Sequence, residues 1–144
     1  MKILALMILF ILMFFRIKST PSSLSKELWR KKMIKTIEKS KANNNGKPLD
    51  DILKGVSILI VLLMELFLII FYIKLGNKIG TTEFIVMSAL QVFTCLWGVV
   101  TNFSEIKTSF SYNIDDFKFH RFQMLFNLVL DYIYYPWAIY MLLK

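Results

Sequence analysis

Three apolar runs, residues 56–73, 84–103 and 122–143, fix most of what this chain can become. Glu65 is the only charged residue in the first, the second has none, and Asp131 is the only one in the third. A helix needs about 20 predominantly apolar residues to cross the roughly 30 Å hydrocarbon core of a bilayer. In lipid each backbone N–H and C=O must be paired within the protein, so runs of this length are expected to be helices. Their Val, Ile and Phe content would favour strands in water, but length overrides propensity here.

A fourth run, residues 3–17, reaches only about 20–25 Å at 1.5 Å per residue and reads as a short N-terminal membrane helix. Its uninterrupted apolar residues stop at Phe15, and Arg16 to Pro21 carry two positive charges and offer no small-x-small cleavage site. That favours a retained anchor over a removed secretory signal. A tilted or interfacial helix is the alternative. The expected fold class is thus all-α, an integral membrane helical bundle with three long transmembrane helices, the short N-terminal membrane helix and a basic amphipathic interfacial helix. At 144 residues it forms a single membrane domain, 1–144.

Charge is clumped rather than dispersed. Only 19% of residues are charged and 56% are hydrophobic, yet the net charge is +8. Residues 16–54 hold eleven Lys and Arg against four acids. A basic tract between apolar runs points to anionic lipid headgroups as a partner, and makes nucleic acid an unlikely one. Within 22–48, Ser22 or Ser23 can cap a helix over about 24–42, followed by the linker Asn43-Asn44-Asn45-Gly46-Lys47-Pro48. Asp50 or Asp51 can cap the next helix. Trp29, Met33 and Ile37 share one helical face, with Lys31, Lys32, Lys35 and Lys39 opposite. On a helix lying in the headgroup plane, Trp29, Arg30, Lys31, Lys32, Lys35 and Lys39 would contact the lipid. Packing of the same face on a partner subunit is the competing expectation.

Orientation follows from the basic residues. Placing 16–54 and 104–121 in the cytoplasm puts fourteen Lys and Arg inside and four outside. The C-terminus then lies outside, and the protein is a multi-pass protein of a cell membrane.

The polar groups at membrane depth are the candidate site. Glu65 and Asp131 each lie about 13–14 Å from the inner end of their run by helical rise, with Cys95 at about 12 Å. Ser88, Gln91, Cys95, Gly98 and Asn102 recur at alternating steps of three and four, a seam of small and polar groups that suits close helix packing. Gln123, Asn127 and Asp131 form a second stripe, and Pro136 is expected to kink the helix that carries it. Glu65, Gln91, Cys95, Asn127 and Asp131 are therefore candidates for ion binding or docking. No Lys or Arg falls within the three runs. Each acid is then protonated, hydrogen-bonded to Gln91, Asn127 or a tyrosine, bound to a cation or water, or paired with a base on another protein.

Catalysis has no sequence support. Cys95 is the only cysteine and His120 the only histidine. Neither has metal-ligand spacing around it, and no nucleophile motif or phosphate loop is present. No metal and no cofactor are expected, and the residues 104–121 read as an interfacial cuff rather than a catalytic loop. The favoured function is a non-enzymatic subunit or accessory protein of a membrane complex, docking partners through its polar seams or associating with itself. A holin-like or effector pore-former is one alternative. An ion or proton channel or transporter subunit using Glu65 and Asp131 is another.

Overall fold

The computed structural model describes residues 2–43, 51–109 and 119–144. Among them are five helices and no strand: α1 (Lys2–Leu24), α2 (Lys26–Asn43), α3 (Asp51–Ile79), α4 (Thr82–Ser109) and α5 (Arg121–Leu143). Residues 44–50, which hold the cap candidate Asp50 and, apart from Asn43, the expected linker, and residues 110–118 of the expected cuff lie outside the described residues.

Three helices are long and apolar enough to cross a membrane: Lys2–Leu24, Gly55–Ile79 and Thr82–Thr101. The number matches the expectation, but the membership differs. The N-terminal run is not a short helix of residues 3–17. It continues through Arg16 and Pro21 to Leu24, about 34 Å by helical rise. Pro21 cannot donate to the helix, but the hydroxyls around it hold the turn. Ser19 and Thr20 donate to the Arg16 carbonyl (3.0 and 2.9 Å), and Ser22 and Ser23 to that of Ser19 (2.8 and 3.2 Å). Ser22 and Ser23 therefore do not cap the next helix. That place falls to Ser25, whose carbonyl accepts from Trp29 N–H at 2.9 Å and whose hydroxyl faces Leu28 N–H at 3.5 Å. The run 122–143, expected as the third long span, is α5, which has the length to cross but not the composition of the three helices above. Gln123, Asn127, Asp131 and its tyrosines dilute its hydropathy.

The helices pack in antiparallel pairs. α3 and α4 form a hairpin, α1 lies along α5, and α4 also meets α5. The expected turn over 74–83 shrinks to Gly80 and Thr81. Gly80 adopts φ +71°, and its N–H returns to the Gly76 carbonyl at 2.9 Å, a left-handed cap that closes α3. Gly76 serves a second need. A Cβ there would sit 2.9 Å from Ser88 Oγ and 3.0 Å from Ser88 Cβ, so its missing side chain lets α3 and α4 touch.

Burial is inverted relative to a water-soluble bundle. Phe10, Leu63 and Val100 are 57%, 56% and 74% exposed, and they belong to apolar faces running the length of α1, α3 and α4. A water-soluble monomer rarely exposes apolar patches beyond a few hundred Å². A bilayer around these faces would remove that cost. The interior is instead aromatic and polar. Phe84 stacks on Tyr134 at 5.0 Å and meets Trp137 edge-on at 5.5 Å, while Tyr72 meets Tyr134 edge-on at 5.4 Å.

The α3–α4 contact generates a test. Gly76→Val should destabilise the purified protein by about 1–3 kcal/mol through overpacking against Ser88. Gly55→Ala, which meets nothing within 4 Å, should be neutral or stabilising by about 0.5–1 kcal/mol. Thermal unfolding of both variants in one detergent measures the contrast.

Candidate functional site

Two ends of the bundle can be told apart by their chemistry. One carries the end of α1, the start of α5 and the basic α2, and is called the basic end. The other carries the α3–α4 hairpin and both chain termini. Between them the interior changes character at Tyr72 and Tyr135, whose hydroxyls are 3.0 Å apart.

Towards the hairpin end the interior is dry. Leu9, Phe84, Tyr134 and Ala138 are fully buried, and Leu75 and Leu142 nearly so. Its one polar contact joins α4 to α5 through Ser88 Oγ and the Tyr134 hydroxyl at 2.9 Å. Tyr134 can thus bury its ring without stranding its O–H.

Asp131 is the hub of the layer below. It sits about 15 Å into α5 by helical rise. Gln91 Nε2, on α4, donates to Asp131 Oδ1 at 2.8 Å. Tyr135, one turn further along α5, also reaches the carboxylate. A carboxylate only accepts, so Tyr135 donates to Asp131 and takes its own hydrogen bond from Tyr72. Thr94 in turn donates to the Gln91 carbonyl at 2.8 Å.

Asp131 also has a basic partner, and it comes from this chain. Arg16 Nε on α1 lies 2.6 Å from Asp131 Oδ2. Its N–H is not aligned for a hydrogen bond, so the contact is coulombic in character. Of the four expected alternatives for Asp131, the hydrogen bond to Gln91 is present, and the base beside it is Arg16 of the same chain rather than one of another protein. Sequence reasoning assigned Arg16 to the polar loop because the apolar run stops at Phe15. Continuing the helix through Ser19-Thr20-Pro21 places Arg16 about 12 Å from the end of α1, close to the depth of Asp131. Thr20 and Tyr132 add a second α1–α5 contact between hydroxyls 3.0 Å apart.

Glu65 takes a different environment. It is half-buried on α3 and hydrogen-bonds the Cys95 thiol of α4. It has no cationic partner among the described residues. Glu65, Cys95, Gln91, Asn127 and Asp131 all line one cavity of about 320 Å³. Gly98 opens it on the α4 side. From Tyr72 and Tyr135 it runs towards the basic end, where Thr101, His120 and Gln123 line it. There Gln123 Nε2 donates to Thr101 Oγ1 at 3.2 Å. The five candidate residues therefore share one chamber. Ser88 of the α4 seam lies outside that chamber, against Tyr134, and the side chain of Asn102 lies outside those described. No group of three His, Cys, Asp or Glu is placed to hold a metal ion among the described residues.

The headgroup candidates lie on α2. Trp29, Met33 and Ile37 are partly buried, with Trp29 5.5 Å from the Phe119 ring. Arg30, Lys31, Lys32, Lys35 and Lys39 are exposed. Lys31 meets Glu27 at 3.0 Å across one exposed turn, a contact of little energetic weight.

The chain matches no family model, no characterised protein and no solved structure. Its site is read from its own chemistry.

Removal of Asp131 should cost most. Asp131→Ala leaves Arg16 without its counter-charge at depth, a loss of about 3–5 kcal/mol. Gln91→Ala removes one hydrogen bond to a charged group, about 1.5–3 kcal/mol. Tyr72→Phe removes one between neutral groups, about 1 kcal/mol. Thermal midpoints in the same micelle should fall in that order.

Proposed function

We propose that this chain is a non-enzymatic subunit or accessory protein of a membrane complex, holding a polar group of a partner's transmembrane segment in its intramembrane chamber. We place it as a multi-pass protein of a cell membrane, with residues 16–54 in the cytoplasm and the C-terminus outside. α1, α3, α4 and α5 then alternate in direction across the bilayer, in keeping with their antiparallel packing. α5 crosses as a shielded fourth helix, its polar residues turned onto α1 and α4.

The observation that supports this proposal is the cavity of about 320 Å³ between the long helices, lined by Glu65, by the Arg16–Asp131 pair and by several neutral polar groups. Polar walls in hydrocarbon need water or another polar side chain. Docking through the exposed flank of the α4 seam has less support, because Ser88, Gln91 and Cys95 are committed to Tyr134, Asp131 and Glu65. Conduction by a single chain also has less support. The polar lining stops at the tyrosine pair, and the interior beyond it is Leu9, Phe84, Ala138 and Leu142. A partner helix carrying a hydrogen-bond donor or a cation at this depth would complement Glu65.

Purification in mild detergent with mass measurement tests the proposal. The expected result is a stoichiometric complex with a second membrane protein, weakened at least tenfold by Glu65→Ala, with no ion conductance on reconstitution. A lone homo-oligomer whose conductance in liposomes is lost in Glu65→Gln would overturn it in favour of a pore.

A further inference from the structure

A second cavity lies on the far side of the Arg16–Asp131 pair, between α1, α2 and α5, with a volume of about 690 Å³. Its chemistry is layered along α1. Leu12 and Phe15 line it first along α1, then Arg16 and Lys18, and Lys32 joins the lining from α2 across the elbow at Ser25, while Asp131, paired with Arg16, and Tyr135 close it on the α5 side. Leu28 of α2 adds an apolar wall. The charge of Arg16 is committed to Asp131. Lys18 and Lys32 are exposed and have no acidic partner among the described residues. Ser19 and Ser22, also in the lining, donate their hydroxyl protons to their own helix. The two ammonium groups are therefore the cations of this lining without a counter-charge among the described residues.

We propose that this groove binds one anionic phospholipid, its phosphate on Lys18 and Lys32 and one acyl chain along Leu12 and Phe15. Leu12 and Lys18 are separated by about 9 Å of helical rise, a spacing that sets a cationic headgroup level above an apolar slot. Basic pockets between helices at a membrane surface take anionic headgroups by this combination. The bend at Ser25 makes the site, since it sets Lys32 opposite Lys18 instead of a helix length away. The exposed Lys35 and Lys39 do not line the groove. They offer only diffuse attraction to the same membrane surface.

The test uses the full chain in mild detergent and native mass spectrometry. The probes are phosphatidylglycerol and phosphatidylcholine of matched acyl chains. One phosphatidylglycerol should be retained per chain, with about tenfold preference over phosphatidylcholine. Lys18→Ala with Lys32→Ala should abolish that preference, whereas Lys35→Ala with Lys39→Ala should keep it. Millimolar glycerol 3-phosphate should not displace the lipid, because it lacks the chain that fills the slot. Equal retention of both lipids would overturn the proposal. So would an equal loss in the two double variants, which would mark diffuse attraction, or full displacement by glycerol 3-phosphate, which would mark a site for a soluble phosphate ester.

Discussion

The contact between Arg16 and Asp131 sets the terms for the rest of the bundle. At the depth a bilayer would give them, two ions would be costly alone and tolerable only together. In lipid the hydrophobic effect does not press helices against one another, so polar ties and close packing must do so. Arg16 belongs to the first helix and Asp131 to the last, so the tie joins the two ends of the chain. Gln91 extends it to α4, and Tyr135 with Tyr72 extends it to α3. One carboxylate thereby connects all four of the long helices. The ion pair also explains why α1 must run past Phe15, since a helix ending there could not present Arg16 at the level of Asp131.

The interior divides at the tyrosine pair into halves with different tasks. The half near the hairpin is a packed aromatic cluster whose hydroxyls are paired, and it holds α3, α4 and α5 in register. The other half is more open, and polar side chains from all four long helices line its cavity. Asp131 stands at the boundary, lining the chamber on one side and the groove between α1, α2 and α5 on the other.

Much of the fold was legible in the sequence because membrane helices are read by length and composition. The runs 56–73 and 84–103 correspond to α3 and α4. Residues 122–143 correspond to a helix, α5, that is less apolar than the other long ones. The shared depth of Glu65, Cys95 and Asp131 was also visible, since helical rise converts residue count into depth. The partner of Asp131 was not. Arg16 lies beside Ser19, Thr20 and Pro21, all turn signals by local propensity. Side-chain hydroxyls bonding back to the Arg16 and Ser19 carbonyls carry the helix across them, which single-residue preferences do not reveal. The elbow at Ser25, and with it the place of Lys32, is likewise a tertiary outcome. The α4 seam showed its period in sequence, but not that its polar members would meet α3 and α5 of the same chain.

Charge exchange tests the central contact most directly. Arg16→Asp and Asp131→Arg each set like charges side by side at membrane depth, and each alone should abolish folded protein in membranes. Combined in one chain, they restore opposite charges to the same place. The double variant should recover most of the folded yield and a cooperative thermal transition. Single variants that fold as the native chain does, or a double variant no better than the worse single one, would contradict the pairing of α1 with α5.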